Sequence, residues 1–209
     1  MNGSPAKVPS LDRHDVAAVL LAAGRSERMG ATNKLLMQWR GQPLITHALN
    51  AYTHVGFGGV WVVTGFERDR LAPLISQSGA YEVFNPDYRQ GHLSSLQAGL
   101  AAIGDHWGGV VIGLADQPLI TCDEVCELFS AFRSGSEQGI LIPFYHDREG
   151  HPRFFSRRHF LAMRQAGPLL NPKRYLAANH HAIVRVNSVN PSVIVDIDTP
   201  ADAERIGAA

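Results

Sequence analysis

Cysteine is almost absent: Cys122 and Cys126 are the two in a chain of 209 residues. That excludes a disulfide scaffold, and their four-residue spacing fits one face of a helix rather than the two-residue gap of a zinc or redox motif. Ten histidines are scattered along the chain with no HExxH pair among them, which excludes the helix-borne zinc site of metalloproteases. His180-His181 reads as a solvated helix end. Net charge is lacking too, with 19 Lys and Arg against 19 Asp and Glu. This removes a charged tail and an extended basic surface for nucleic acid. The apolar run near the N-terminus, residues 16–23, is far short of the roughly 20 residues that cross a bilayer. Asp12 and Asp15 precede it where a secretory leader carries positive charge. The run therefore reads as a buried strand, in a protein expected in the cytoplasm, away from membranes.

What is present is ordinary core-forming material. Hydrophobic residues make up 45% and charged residues 18%, and a chain of this length buries about 70% of the surface it exposes when unfolded. Residues 1–15 hold Gly, Ser and two Pro without periodicity and read as a mobile arm. Residues 16–209 read as one domain, with no repeat or linker inside it. Continuous apolar runs predict strands at 16–22, 60–64, 81–84, 110–114 and 140–144. Segments of helical period alternate with them at 43–53, 67–76, 93–103 and 123–133. A turn at 147–150 sends back a strand at 152–155. Helices follow at 158–166 and 173–179, with strand candidates at 182–186 and 193–196. Thr199-Pro200-Ala201-Asp202 then opens a last helix, with Thr as N-cap and Pro in the first turn. The alternation predicts an α/β fold of three layers, a mainly parallel twisted sheet with helices on both faces.

Three segments carry chemistry, each at the end of a strand. Leu21-Ala22-Ala23-Gly24-Arg25-Ser26-Glu27-Arg28-Met29-Gly30, followed by Asn33-Lys34, leaves the first strand as a loop rich in Gly, Arg and Ser. Backbone N–H groups and cations in such a loop suit a triphosphate. It lacks the Gly-Lys-Ser/Thr ending of a Walker A loop and the spacing of the dinucleotide fingerprint. Gly113-Leu114-Ala115-Asp116-Gln117-Pro118 sets a carboxylate at the C-terminal end of a buried strand, where open α/β sheets place ligands. Asp116 there suits Mg²⁺, which takes one or two carboxylates together with substrate phosphates; as a plain turn-former it would instead cap the next helix. Val195-Asp196-Ile197-Asp198-Thr199-Pro200 offers further acids, Asp196 and Asp198, beside a helix cap.

In this order the segments resemble the molybdenum cofactor cytidylyltransferase family. The first loop matches that family's opening signature, and the guanylyl branch would carry a second Gly at Ala23. Asn85-Pro86-Asp87-Tyr88 with Gly91, Ser95-Leu96, Ala98-Gly99-Leu100 is similar to the middle motif. Leu114-Ala115-Asp116-Gln117-Pro118, Gly150-His151-Pro152 and Asp196-Ile197-Asp198-Thr199-Pro200 complete the set. The likeness runs from about Val16 to Ile206. It departs at residues 165–174, where relatives carry Gly-Asp-x-Gly-Ala-Arg/Lys and this chain has Gly167-Pro168-Leu169-Leu170-Asn171-Pro172.

The resemblance implies a nucleotide-diphospho-sugar transferase, glycosyltransferase-A-like fold, related to the Rossmann type. It also implies a reaction. A phosphate oxygen of the molybdopterin cofactor attacks the α-phosphorus of CTP, and the bond to the departing pyrophosphate breaks. Positioning and charge neutralisation carry such a transfer, consistent with the lack of a Ser-His-Asp or Cys-His arrangement. Leu21, Ala22, Ala23, Gly24 and Ser26 would hold base and phosphates. Arg25, Arg28 and Lys34 would neutralise the triphosphate, and Asp116 with Asp198, or else Asp196, would bind Mg²⁺. Asn85 and Ser95 would contact the base or ribose, and His151 the acceptor, in a pocket expected around residues 144–175. Other readings stay open: transfer to a sugar or acid phosphate, a glycosyltransferase using Asp196-Ile197-Asp198, a related oxidoreductase, or a carrier delivering the finished cofactor to a molybdoenzyme.

Overall fold

The computed structural model describes residues 11–26, 29, 33–135 and 139–208. Most of the expected N-terminal arm lies outside these residues. Its last part is docked: Leu11 packs on the core, Asp12 caps a 3-10 turn over Arg13–Asp15, and the Asp15 carbonyl accepts from the N–H of Gly108 at 2.8 Å.

Along the chain the elements are β1 (Val16–Ala22), a hairpin of β2 (Gln38–Trp39) and β3 (Gln42–Pro43), α1 (Leu44–Thr53), β4 (Gly59–Thr64) and α2 (Arg68–Gln77). Then come β5 (Tyr81–Phe84), α3 (His92–Ala102), β6 (Gly109–Leu114), α4 (Cys122–Ser134), β7 (Ile140–Tyr145), β8 (Arg148–Glu149) and β9 (Arg153–Ser156). The last are α5 (Arg157–Ala166), α6 (Pro172–Ala178), β10 (Ile183–Asn187) and α7 (Pro200–Ile206). One eight-stranded sheet runs β10-β7-β9-β6-β1-β4-β5, with β8 attached to β7. The pairs β1–β4, β1–β6, β4–β5 and β7–β10 are parallel. The returning strand β9 inserts antiparallel between β6 and β7.

The alternation of side chains along β1 builds the layers. Val16, Ala18, Leu20 and Ala22 face Ile45, Leu49 and Tyr52 of α1, Leu71 and Ile75 of α2, and Phe129 and Phe132 of α4. Ala17 and Val19 face the opposite way, toward Leu96 and Leu100 of α3 and Phe160 and Met163 of α5. Being buried on both faces is why β1 reads as an unbroken apolar run. Cys122 and Cys126 are free thiols packed at the edge of the first of these layers, and burial pushes the Cys122 thiol up.

The strand expected at 193–196 does not form. Pro191–Ile194 makes a 3-10 turn instead, and the segment is spent on tethers. The carbonyl of Val193 accepts from the N–H of His151 at 2.8 Å, and Ile197 donates to the carbonyl of Asp116 at 3.0 Å. The turn at 147–150 is tighter than expected, since Arg148 and Glu149 pair back on β7.

The chain leaves β1 toward β4 on one side and reaches β6 on the other. That switch opens a crevice beyond the C-terminal ends of β1 and β6, the usual ligand position in such sheets. Gly113 is what lets the two strands meet α1 closely. A Cβ there would lie 2.3 Å from the Tyr52 hydroxyl and 2.7 Å from Leu20. Gly113→Ala is therefore expected to destabilise the fold by about 1–3 kcal/mol, the usual cost of overpacking. It should be read as a lower denaturant midpoint at unchanged m-value.

Candidate functional site

The crevice is a cavity of about 390 Å³. Its wall begins where β1 ends: Leu21, Ala22, Ala23, Gly24, Arg25 and Ser26 all line it. Ser26 takes a left-handed conformation, φ 53°, which turns the chain. Its carbonyl accepts from the N–H of Met29 at 2.8 Å, and its Oγ accepts from the N–H of Lys34 at 3.2 Å. The loop is thereby cinched, and Lys34 returns to the mouth of the sheet. Asn33, fully buried, caps the turn Lys34–Leu36 by accepting from the N–H of Leu35 at 3.1 Å. Arg28 lies outside the described residues.

Lys34 then meets both acidic segments. Its Nζ donates to Asp116 Oδ2 at 2.6 Å and to Asp198 Oδ1 at 2.7 Å. The lysine side chain is only 10% exposed. Burial alone would lower the Lys34 pKa, but the carboxylates of Asp116 and Asp198 outweigh it and raise it. Asp116 is carried by the strand end, where the N–H of Ala115 still donates to the carbonyl of Leu21 at 3.1 Å. Asp198 is aimed by the cap of α7. The Asp202 carboxylate accepts from the N–H groups of Asp198 and Thr199 at 3.2 and 2.9 Å, and its pKa is lowered chiefly by the hydrogen bond from the Thr199 hydroxyl. The helix cap and the acidic site thus coexist in one segment. Asp196 lines the cavity as well.

The middle motif divides. Ser95 lines the cavity, whereas Asn85 does not. Asn85 is buried and donates to the hydroxyls of Ser94 and Ser95 at 3.0 and 3.1 Å, while its Oδ1 accepts from the N–H of Asp87 at 3.0 Å. It builds the loop that presents Tyr88, Arg89, Gly91 and His92 to the cavity. Tyr88 and Gly91 belong to the quoted motif, but none of the four was given a binding role from sequence. His151 is also off the lining. Burial, then the charges of Arg153 and His92, hold its imidazole neutral, with the pKa pushed down to about 3. No residue of 144–175 lines this cavity among the described residues. The divergent segment instead packs beside α3, where Gln97 donates to the Gly167 carbonyl.

The donor set suits a hard cation. Asp116 Oδ1 is buried without a hydrogen-bond partner, and a carboxylate oxygen in that state is what Mg²⁺ uses. Among the described residues no group of three or more His, Cys, Asp or Glu could hold a metal ion. The remaining ligands of such an ion would be phosphate oxygens and water, the habit of Mg²⁺ in nucleotide sites.

Residues 18–184 match the family model described as MobA-like NTP transferase domain. The chain is 29% identical over 188 residues to the molybdenum cofactor cytidylyltransferase of Escherichia coli K12, covering 90% of this chain and 93% of that protein. Its backbone superposes with a TM-score of 0.77 on the rv0371c homologue of Mycobacterium sp. strain JC1, 29% identical, over 93% of this chain and 96% of that one. The molybdopterin-guanine dinucleotide biosynthesis protein A of Archaeoglobus fulgidus shares the fold, with a TM-score of 0.65 over 91% of this chain and 96% of that one at 19% identity. Among the described residues no helix is long and apolar enough to cross a membrane.

Asp196 gives a pH test. Burial raises its pKa, a backbone hydrogen bond partly offsets this, and the charges of Asp116 and Asp198 raise it further. A carboxyl whose pKa is raised on folding costs stability that is absent below its unfolded pKa, builds as pH rises from there, and is complete above its folded pKa. Asp196→Asn should therefore melt higher than the parent protein at pH 7. That advantage should vanish below the unperturbed aspartate value of about 3.9.

Proposed function

The chain belongs to the MobA-like NTP transferase family and is a nucleotidyltransferase; on that premise we propose that residues 16–209 act as one Mg²⁺-dependent domain transferring the cytidylyl group of CTP to the phosphate of a molybdopterin-type cofactor. The observation that carries this reading is the juxtaposition of Lys34 with Asp116 and Asp198 across the floor of a cavity walled by residues 21–26. A triphosphate is a polyanion that travels with a divalent cation. A loop of backbone donors and cations facing a carboxylate pair accommodates both parts. Similarity to the Escherichia coli cytidylyltransferase, together with Ala23 in place of a second glycine, favours CTP and this acceptor.

In this reading Ala22, Ala23 and Gly24 bring the backbone against base and phosphates, and Gly24 leaves open space where a Cβ would stand. Arg25 and Lys34 carry the positive charge that meets the triphosphate and the departing pyrophosphate. Ser95 meets the base or ribose, and Asn85 positions the loop around it. Asp116 and Asp198 would hold Mg²⁺, which when bound neutralises phosphate charge as it shifts toward the leaving group. The attacking phosphate is already ionised at neutral pH and needs no strong base. Its orientation against the α-phosphorus is the chain's main task. The turn at Gly150-His151-Pro152 is the segment assigned to the acceptor side, outside the lining of the nucleotide cavity, with the His151 imidazole held neutral chiefly by burial.

The test is a thermal shift with each of the four nucleoside triphosphates and Mg²⁺, followed by pyrophosphate release with the reduced, molybdenum-loaded pterin. CTP should stabilise selectively, by about 2.7 kcal/mol at 100 times its Kd. Preference for GTP would overturn the cytidylyl assignment, and no shift with any of the four would overturn the nucleotide site. Lys34→Ala should lower kcat/KM for CTP at least about tenfold, because a charge-assisted hydrogen bond is worth about 1.5–3 kcal/mol. Asp116→Asn should fold normally and lose Mg²⁺-dependent turnover.

A further inference from the structure

The two carboxylates assigned to the metal already hold a cation, and it belongs to the protein. Lys34 Nζ lies 2.6 Å from Asp116 Oδ2 and 2.7 Å from Asp198 Oδ1. A single ammonium thus bridges the pair, and the side chains of Lys34 and Asp116 are only 10% and 17% exposed. Two such acids so close to Asp196 would repel one another without a positive charge between them. Lys34 supplies that charge from a fixed base: its N–H is tied to Ser26 Oγ, and its turn is capped by Asn33. The backbone is anchored, while the four-carbon stem can re-aim the ammonium within the cavity that it lines. The same cavity is walled by Gly24, Arg25 and Ser26, the segment assigned to the phosphates.

We propose that Lys34 is an internal competitor for the divalent cation: in the nucleotide-free protein its ammonium occupies the Asp116–Asp198 pair and holds the metal off, and a bound triphosphate withdraws it, so that metal enters with nucleotide rather than before it. The inference rests on the assignment of Asp116 and Asp198 to the metal. Its physical content is a linkage. Any anion that binds Lys34 away from the carboxylates strengthens metal binding, and the metal strengthens anion binding by the same factor. The lysine then serves both states of the site, neutralising the acids when the site is empty and the phosphates when it is filled. An enzyme built this way does not gather free Mg²⁺ at an incomplete site, and its carboxylates are never left unpaired.

The experiment uses the full chain without nucleotide. MnCl₂ is titrated in, and the signal of free aqueous Mn²⁺ is followed by electron paramagnetic resonance. Lys34→Met and Lys34→Gln should each bind Mn²⁺ at least about tenfold more tightly than the parent. Lys34→Arg, which keeps the charge, should stay weak like the parent. Adding Asp116→Asn to Lys34→Met should abolish the gain. In a parallel melting experiment, Mg²⁺ alone should raise the midpoint of Lys34→Met and Lys34→Gln more than that of the parent, so two neutral replacements and two readouts cover a variant that folds poorly. Equal or weaker Mn²⁺ binding by both neutral variants would overturn the proposal, as would a gain that survives Asp116→Asn. Either result, alongside intact stabilisation of the parent by CTP, would remove the competitor and leave the nucleotide site standing. Tighter Mn²⁺ binding by the neutral variants without any nucleotide effect on the parent would keep Lys34 as competitor but overturn its release by a triphosphate.

Discussion

A lysine ammonium at 2.6 and 2.7 Å from two carboxylates ties together segments separated by 82 and 164 residues. The rest of the site is arranged to make that contact unavoidable. Ser26 and Asn33 turn the loop after β1 back on itself. The last residues of β6 carry Asp116 to the same edge, and the capping box of Thr199 and Asp202 fixes the backbone from which Asp198 projects. Taking such charges from water is costly, and the contact is favourable only because geometry and partners are both supplied. A break at any one of these supports would leave a partly buried charge uncompensated.

The sheet explains why these pieces converge. β1 is buried on both faces and flanked by parallel neighbours, so its carboxyl end and that of β6 point the same way. Short side chains and glycines let the helices close over it: Gly99 of α3 stands where a Cβ would lie 2.5 Å from Val19. The small cluster of Trp39, Leu44, Ile197 and Ala203 then packs α7 against the start of α1. It holds the C-terminal acids beside a loop that was made at the other end of the chain. Apolar packing around Ile197 and Ala203 thus helps to place the acid of Asp198.

Much of this was legible in the amino-acid sequence. Apolar runs such as residues 16–22 and 110–114 are short and carry β-branched residues, which favours buried strands, and Thr199-Pro200 with Asp202 marks a helix start from local chemistry alone. What could not be read was set by distant partners. Residues 193–196 have the composition of a strand, yet the Val193 carbonyl is taken up by the His151 N–H and the Gln117 amide, and the Val195 N–H turns back to the Ser192 carbonyl. Asn85 looks like a ligand contact in a motif, but its amide is consumed by two serine hydroxyls. Lys34 was legible as a cation for phosphate. That it spends its charge on Asp116 and Asp198 depends on a tertiary contact no local pattern encodes. The neutral total of 19 charges of each sign likewise says nothing about a site whose charges are gathered by the fold.

The claim that this ion triad organises the site is tested most directly by a double-mutant cycle on the metal-free protein. The stabilities of the parent, Lys34→Met, Asp116→Asn and the double variant are measured by denaturant unfolding. The account predicts strong coupling, with the double variant more stable than the sum of the single losses allows by at least about 1.5 kcal/mol, because Lys34→Met leaves Asp116 and Asp198 without the cation between them, a penalty that Asp116→Asn relieves. Losses that add to within about 0.5 kcal/mol, the behaviour of independent sites, would contradict it.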